Sequence, residues 1–367
     1  MIPLYHTTSR QALRYLCTTA ISSLSILSLS SAFAMTNISA TAKASNLQPQ
    51  PISETVSQAS QTVTPISLYN TEQRWIQPSS DSNGDTEQAH IYRLLSSQPI
   101  DGIHPDSPVI ITLDGDTLFP IGLRHLDLVQ ARQSRTLKPN EPQPAPPVLL
   151  GIGYAQTRLF SQRRKTDFTP PTSSTFADML HREVIEHLPT STTQSHTSPP
   201  TKNITLVGHS LGGLFALSEL ASCVQAVQSH SQTCPYQHIV IASPSLWWQD
   251  ELFLKQLEDL FGSLTPEQAQ QLPKVTVTIG ALEQTAQPAS PTGQKTAIQG
   301  DRQSLLDERK MVDNAKLLSQ RLEQYGIANQ FVQFAGKRHH DSAEQAVKYA
   351  IDSAVLSKGL SDDTGSL

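Results

Sequence analysis

The segment at residues 204–213, Ile-Thr-Leu-Val-Gly-His-Ser-Leu-Gly-Gly, constrains this chain more than any other. An apolar run ends in Gly-His-Ser-Leu-Gly, and a helix-forming stretch from Leu214 to Leu220 begins at once. A strand, a tight turn and a helix with a serine at the apex form the G-x-S-x-G arrangement, which projects a hydroxyl from a strained bend. Glycines beside the serine lack the Cβ atoms that would obstruct the bend. We predict that Ser210 is a nucleophile; the alternative is a serine that only caps the helix.

Strand-like runs and helical patterns alternate along the rest of the chain. Several runs are continuously apolar, which is typical of parallel strands that are buried on both faces. Strands that alternate with helices predict an α/β fold, with a doubly wound, mostly parallel sheet flanked by helices in a single domain. Strands are predicted at 89–95, 108–113, 147–153, 203–207, 238–243, 274–279 and 329–334. Helices are predicted at 120–133, 175–188, 211–225, 245–260, 302–324 and 341–356.

The N-terminal segment has the pattern of a secretory signal. Arg10 and Arg14 precede an apolar stretch that ends in Ala-Phe-Ala at 32–34. A positive start, a short apolar middle and an A-x-A end predict a signal peptide over residues 1–34, and therefore a periplasmic or secreted protein. A retained membrane anchor is the alternative, because the stretch could just span a bilayer, and only then would a membrane be a partner.

Differences in composition divide the remainder of the chain into a linker, a folded domain and a tail. Residues 35–70 are rich in Ser, Thr, Gln and Pro with few large apolar residues, so we predict a disordered linker there. The folded domain is predicted at 71–358 and a flexible tail at 359–367. The formal net charge is −5 without a long basic run, which argues against nucleic acid as a partner.

Two cysteines remain after removal of the predicted signal. In an oxidising compartment such a pair favours a disulfide, so we predict a bridge between Cys223 and Cys234, with two free thiols as the alternative. No Cys/His spacing resembles a zinc site, and neither a metal nor a cofactor is expected.

A serine nucleophile requires a general base and an acid that orients the base. The apolar run 275–279 leads into Gly-Ala-Leu-Glu, which places Glu283 directly after a predicted strand. The order serine, acid, histidine is the one expected when each residue follows a strand of an α/β sheet. We therefore predict Glu283 as the acid, with Asp307 or Asp313 on the following helix as the alternatives.

The base is expected after the last strand. That strand leads into Lys-Arg-His-His-Asp at 337–341. We predict that His340 is the base because it directly precedes the acidic start of the last helix, and His339 is the alternative.

An oxyanion that forms at the substrate carbonyl needs two N–H donors. The backbone N–H of Leu211 is the first candidate, because it follows the nucleophile at a helix start. The second is expected from the Asp-Gly-Asp loop at 114–116, which follows the strand 108–113. The alternative for that loop is a plain Asp-Gly turn.

With these residues in place, the chain resembles the esterase family of the α/β-hydrolase superfamily that includes the enterobactin and salmochelin esterases. The resemblance runs from about residue 89 to 356 and comprises many motifs in order. These motifs lie at 109–119 (VIITLDGDTLF), 148–154 (VLLGIGY), 163–170 (RRKTDFTP), 208–213 (GHSLGG), 242–248 (ASPSLWW), 280–283 (GALE), 309–315 (RKMVDNA) and 340–342 (HDS).

The resemblance implies roles for several residues. It implies Ser210 as nucleophile and His340 as base, with the N–H groups of Leu211 and Asp116 as oxyanion donors beside Gly115. In periplasmic members a Ser-His pair is thought to suffice, so a dyad without Glu283 stays an alternative. The family's arginine pair is expected to hold an anionic or iron-loaded substrate, or else to form structural salt bridges, and one tryptophan is expected to line the site. These residues are Arg163, Arg164 and Trp248.

The function implied is an exported serine esterase that forms an acyl-enzyme. Its expected partner is a small-molecule ester, with a trilactone siderophore of the enterobactin type, free or ferric, as the leading candidate. The alternatives are a general carboxylesterase that acts on acyl or feruloyl esters, and a non-catalytic binding protein that retains the fold.

Overall fold

The computed structural model describes residues 71–77, 91–136, 144–154, 161–189, 203–230, 234–248, 252–284 and 309–356. The predicted signal peptide, linker and C-terminal tail lie outside these ranges, as does Asp307.

Eight strands form one sheet in the order β1-β2-β4-β3-β5-β6-β7-β8. Strand β2 pairs antiparallel with both β1 and β4, whereas all pairs from β4 through β3 to β8 are parallel. The mostly parallel, doubly wound sheet predicted from the alternating pattern is confirmed. The strands are β1 (Glu72–Ile76), β2 (Tyr92–Ser96), β3 (Val109–Leu113), β4 (Val148–Tyr154), β5 (Ile204–His209), β6 (His238–Ala242), β7 (Lys274–Gly280) and β8 (Asn329–Phe334).

Helices cover both faces of this sheet. The described helices are α1 (Gly115–Thr136), α2 (Arg163–Asp167), α3 (Ser173–Met179), α4 (Leu211–Ser229), α5 (Leu252–Gly262), α6 (Pro266–Ala269), α7 (Met311–Gln324) and α8 (His339–Leu356). A π-helical turn at Leu180–Ile185 continues α3, and a short 3₁₀ turn spans Ile100–Gly102. Within the described ranges, none of the helices combines the length and the apolar character that crossing a membrane requires.

The core consists of two apolar clusters, one on each face of the sheet. Helices α1 and α8 pack on one face, where Gly122 lets α1 approach closely: a Cβ there would lie 2.7 Å from Leu149 and 2.9 Å from Val347. The other face is covered by α3, α4, α5 and α7. The central strands are buried on both faces and mostly apolar, so the charged candidate groups Glu283 and Asp114 lie in the loops that follow them.

Several boundaries differ from the prediction. Helix α1 begins at Gly115, five residues before the predicted start at Pro120, because proline favours a first helical position and drew the prediction to it. Strand β1 was not predicted; it is a short edge strand with charged residues and an exposed Trp75, so its apolar periodicity is weak. Helix α8 begins at His339 instead of residue 341, and this shift of two residues matters for the site.

Candidate active site

Ser210 occupies the turn between β5 and α4, as predicted. Its backbone has φ 61° and ψ −116°, a left-handed conformation that side-chain-bearing residues rarely adopt. A Cβ on Gly208 would lie 1.9 Å from the carbonyl oxygen of Gly212, and one on Gly213 would lie 2.7 Å from that of Ala242. Backbone atoms cannot yield to such contacts, so these positions require glycine and the strand-turn-helix geometry depends on them.

Strained residues cluster at this edge of the sheet. Asp114, Ser210 and Ser243 have positive φ values of 53°, 61° and 42°, and each directly follows the last residue of β3, β5 or β6. Because these strands are parallel, all three turns lie at their carboxyl ends, where open α/β sheets bind ligands. Strain of this kind is maintained by the surrounding structure and often marks a functional site.

Glu283 lies after β7 and is buried within a dense hydrogen-bond network. Its Oε1 accepts from the backbone N–H of Gly280 at 2.7 Å and from the hydroxyls of Ser243 and Ser342 at 2.6 and 2.7 Å. Its Oε2 lies 2.7 Å from Nδ1 of His339. Burial disfavours the charged carboxylate, but the hydrogen bonds from His339, Ser243 and Ser342 outweigh burial and lower the pKa of Glu283. The group is therefore a fixed carboxylate with one oxygen directed at an imidazole.

The histidine beside Glu283 is His339, whereas the sequence analysis placed His340 in this role. His339 and His340 are the first two residues of α8, and successive helical side chains point about 100° apart, so only one of them faces the carboxylate. His340 is exposed, with its ring centroid 6.0 Å from that of His339. Since a carboxylate only accepts hydrogen bonds, Nδ1 of His339 carries the proton and Nε2 is left as an acceptor.

The alternative acid on α7 is occupied elsewhere. Asp313 is exposed, and its carboxylate accepts a hydrogen bond from the side chain of Gln284 at 2.6 Å. The structure therefore brings Glu283, and not Asp313, to a histidine.

His209 is a further residue of this cluster, and the sequence analysis did not single it out. Its ring lies 4.5 Å from the ring of His339, and its Nε2 is 3.5 Å from the Ser342 hydroxyl. Burial holds the pKa of His209 well below its ordinary value, so the ring is neutral. His209 thus supports one face of the His339 ring without adding a charge. The sequence feature that could have identified His209 as part of the site is its position directly before Ser210 in the G-x-S-x-G segment.

The hydroxyl of Ser210 contacts a second serine. Its Oγ is 3.3 Å from Oγ of Ser245, and Ser245 is itself buried in the turn after β6. The backbones of the two residues are also joined, because the N–H of Ser245 donates to the carbonyl of Ser210 at 3.1 Å.

The two predicted oxyanion donors lie at helix starts on neighbouring strands. Leu211 is the first residue of α4 and Asp116 the second of α1, and the preceding strands β5 and β3 are paired in parallel. The first N–H groups of a helix have no intrahelical acceptor, and the helix dipole adds positive potential. Gly115 lets α1 start against β4, since a Cβ there would lie 2.5 Å from the carbonyl carbon of Gly151.

The side chain of Asp116 points away from this role. Its carboxylate pairs with Arg93 and accepts from the backbone N–H of Tyr154 at 2.7 Å. These contacts hold the first turn of α1 in place, so that only the backbone N–H of Asp116 is a candidate donor.

The arginine pair predicted to bind substrate forms structural ion pairs instead. Arg164 is buried and binds Asp114 through Nε and Nη2 at 2.5 and 2.8 Å, while Nη2 also donates to the carbonyl of His209 at 3.0 Å. Arg163 lies 3.2 Å from the Asp167 carboxylate and donates to the Tyr92 hydroxyl at 3.2 Å. Each arginine thus pairs with a carboxylate, Arg164 with one 50 residues away and Arg163 with one a helical turn further on. These contacts favour the alternative of structural salt bridges over the expected substrate-binding role.

The structure also describes the predicted tryptophan and the predicted cysteine pair. Trp248 is half-buried and donates its backbone N–H to the carbonyl of Ser245 at 3.1 Å. Cys223 and Cys234 are joined by a disulfide that links α4 to the segment before β6. In the part of the chain that the structure describes, no group of His, Cys, Asp or Glu is arranged to hold a metal ion.

Comparison with known proteins identifies relatives of the chain, although no protein-family model matches it. The ferri-bacillibactin esterase BesA of Bacillus subtilis (strain 168) is 27% identical over 267 residues, which cover 68% of this chain and 79% of BesA. The solved structure of the siderophore hydrolase EstA from Aspergillus nidulans has a TM-score of 0.62 at 19% identity, covering 80% of this chain and 97% of EstA. EstB of the same organism has a TM-score of 0.57 at 19% identity, with 79% and 97% covered.

The sheet order, the serine turn and these similarities confirm the α/β-hydrolase fold. The resemblance to siderophore esterases that the ordered motifs indicated is confirmed as well. BesA is named an esterase, and EstA and EstB are named siderophore hydrolases.

Proposed function

We propose that this protein is an exported serine esterase that hydrolyses trilactone siderophores of the enterobactin type. The observation that carries the proposal is the 2.7 Å contact between Glu283 and His339 at the sheet edge where Ser210 projects. A nucleophile, a base and an orienting acid at the carboxyl ends of β5, β8 and β7 are the groups that acyl transfer requires.

The reaction follows from this arrangement. The Ser210 hydroxyl turns from Ser245 towards Nε2 of His339, which takes its proton as Oγ attacks the ester carbonyl. The charge that develops on the imidazole is stabilised by Glu283 through Nδ1. The oxyanion is bound by the backbone N–H groups of Leu211 and Asp116.

The second half of the reaction uses the same groups. The tetrahedral intermediate collapses as His339 returns the proton to the leaving alkoxide, and an acyl-enzyme on Ser210 remains. Water then attacks the acyl group, with His339 again as the base. His339 returns the proton to Oγ of Ser210 as the acid product leaves. A trilactone is therefore cleaved at one ester bond in each catalytic cycle.

The substrate class is supported by the relatives. BesA is named a ferri-bacillibactin esterase, and EstA and EstB are named siderophore hydrolases. We infer that this chain also acts on a siderophore ester, and that its ester bonds are those of a trilactone.

Export is part of the proposal. It is supported by the positive, apolar and A-x-A pattern of residues 1–34 and by the Cys223–Cys234 bridge, a bond type that persists in oxidising compartments. Cell fractionation with an antibody to the protein tests it, and recovery of the protein only from the cytoplasm would contradict it.

The decisive experiment compares specificity constants of the purified enzyme. Ferric enterobactin, iron-free enterobactin and p-nitrophenyl butyrate are offered to the wild type and to Ser210→Ala. We expect a kcat/KM for an enterobactin form at least 100-fold above that for the butyrate ester, and loss of all three activities in Ser210→Ala. A butyrate ester that is hydrolysed faster than either siderophore form would favour a general carboxylesterase, and unchanged activity in Ser210→Ala would reject the nucleophile.

A further inference from the structure

Two tryptophans follow closely after Ser245, the residue whose hydroxyl contacts the proposed nucleophile. Trp248 is hydrogen-bonded through its backbone to Ser245, and Ser245 contacts Ser210 through both backbone and hydroxyl. The ring of Trp247 lies 6.2 Å from that of Trp248 in an edge-to-face arrangement, and both rings are half-buried against the core. These two rings, called here the indole wall, are connected through Ser245 to the turn that carries Ser210.

Each indole ring has a cationic side chain over it. The guanidinium of Arg309 is 4.4 Å from the ring centroid of Trp247, and the ammonium of Lys165 is 5.2 Å from that of Trp248. The two cations come from separate parts of the chain, Lys165 from α2 and Arg309 from the start of the segment that leads into α7. Both side chains are exposed. Across the described ranges, no carboxylate forms an ion pair with either of them.

Three aspartates of this edge are already paired with other arginines, and Glu283 is paired with His339. The pairs are Asp114 with Arg164, Asp116 with Arg93, and Asp167 with Arg163. These four carboxylates therefore have partners other than Lys165 and Arg309, which place two positive charges over the indole wall.

We propose that Lys165 and Arg309, seated over Trp248 and Trp247, form a binding site for an anionic aryl group of the ester substrate, of the catecholate type. The proposal rests on the function proposed for Ser210, since it assigns the group that lies beside the scissile ester. Cations attract phenolate oxygens, and a planar guanidinium also stacks on an aromatic ring. The indoles hold both cations in a fixed place, which reduces the ordering needed when the anion binds.

This site replaces the one expected from the adjacent arginine pair. Arg164 and Lys165 are neighbours in α2, and the helix directs the first into the core against Asp114 and leaves the second exposed over Trp248. The cation of α2 that is assigned to the substrate is therefore Lys165, one residue after the predicted Arg164.

The test uses Lys165→Gln, Arg309→Gln and the double variant, with Arg132→Gln as the control. Arg132 is exposed near the far end of α1, about 26 Å along the helix from its start, and its replacement removes one positive charge, as each single variant does. We expect the double variant to lose at least tenfold in kcat/KM for ferric enterobactin but to stay within twofold for p-nitrophenyl butyrate. Arg132→Gln should leave both constants unchanged. An equal loss on the two substrates, or none on ferric enterobactin, would overturn the proposal.

Binding is measured separately in the Ser210→Ala background, where turnover does not interfere. Quenching of tryptophan fluorescence by ferric enterobactin should give a Kd that rises at least tenfold in the double variant and that also rises with salt. If Ser210→Ala binds ferric enterobactin through these cations but the wild type does not hydrolyse it, the esterase proposal fails and the binding site stands. If Ser210→Ala does not bind it, the catecholate site is rejected, whatever ester the enzyme cleaves.

Discussion

At the scale of single residues, the identity of the base depends on a choice between two adjacent histidines. Both follow β8, and both could lie near the sheet edge. The structure orients His339 towards Glu283 and leaves His340 exposed, because α8 begins at His339 and its first two side chains diverge. Composition and motif order do not distinguish the two positions.

Replacement of each histidine by alanine gives a matched pair of variants. We expect His339→Ala to lower kcat by on the order of 10⁴-fold or more, as removal of a general base from a catalytic triad does. His340→Ala should stay within a few-fold of the wild type, because its ring does not contact Glu283. Steady-state kinetics on p-nitrophenyl butyrate measures both, and the opposite ranking would restore His340 as the base.

Glu283 permits a test of whether the site is a triad or a dyad. Glu283→Gln retains the shape but presents an amide to His339, so the imidazole loses its orientation and its charge partner. We expect kcat to fall by about 10³- to 10⁴-fold with little change in KM. The control is Glu267→Gln on the exposed side of α6, which should be neutral. A near-neutral result for Glu283→Gln would favour a Ser-His dyad.

The lowered pKa of Glu283 also links stability to pH. Because its folded-state pKa lies below its unfolded value, the unfolded chain binds the proton more readily. The stabilisation is complete above the unfolded pKa of about 4.3 and is lost as pH falls through the folded pKa. Urea unfolding between pH 6 and pH 3 should therefore show a steeper loss of unfolding free energy in the wild type than in Glu283→Gln. Equal slopes would contradict this linkage.

At the scale of elements, the turns after β3, β5 and β6 set the site. Each turn begins with a residue of positive φ, and the helices α1 and α4 that follow two of the turns present their N–H groups at the same edge. Helix α2 was not predicted as a separate element, since its five residues are too few to show an apolar period. Its single turn nevertheless carries Arg163, Arg164 and Lys165, which have three different environments.

The bridge between α4 and the segment before β6 is an element-scale prediction. The cysteines are 11 residues apart, and closing a loop of that length in the unfolded chain stabilises the fold by on the order of 2–3 kcal/mol in the chain-entropy model. We expect Cys223→Ser/Cys234→Ser to unfold at lower urea concentration while kcat stays near the wild-type value, because neither sulfur contacts Glu283 or His339. Mass spectrometry without reduction checks the bond itself, and two free thiols would refute it.

At the scale of the whole molecule, the site joins residues that are far apart in the chain. The hydroxyls of Ser243 and Ser342 are 2.9 Å apart across a separation of 99 residues, and both reach Glu283. Only the strand order β5-β6-β7-β8 brings the loops that carry these residues to one edge. Alternating strands and helices predicted that such an edge exists, although not which side chains pair across it.

The extent of the folded domain is a whole-molecule prediction. From composition we expect residues 71–358 to fold as a unit, with susceptible segments before and after it. Limited proteolysis followed by mass spectrometry should leave a fragment that begins near residue 71 and ends near residue 358. A stable fragment that retains residues 35–70 would contradict the predicted linker.

What the sequence alone determined is local: the glycine-flanked turn of Ser210, the alternation of strands and helices, and the Glu283 position after its strand. These features follow from steric and periodic rules that act over a few neighbouring residues. Only the tertiary structure decided that His339 faces Glu283, that Arg163 and Arg164 pair with buried carboxylates, and that Lys165 remains free of them. Such pairings depend on where a helix begins and on which side chains the fold brings within hydrogen-bond reach. A short stretch of sequence specifies neither of these.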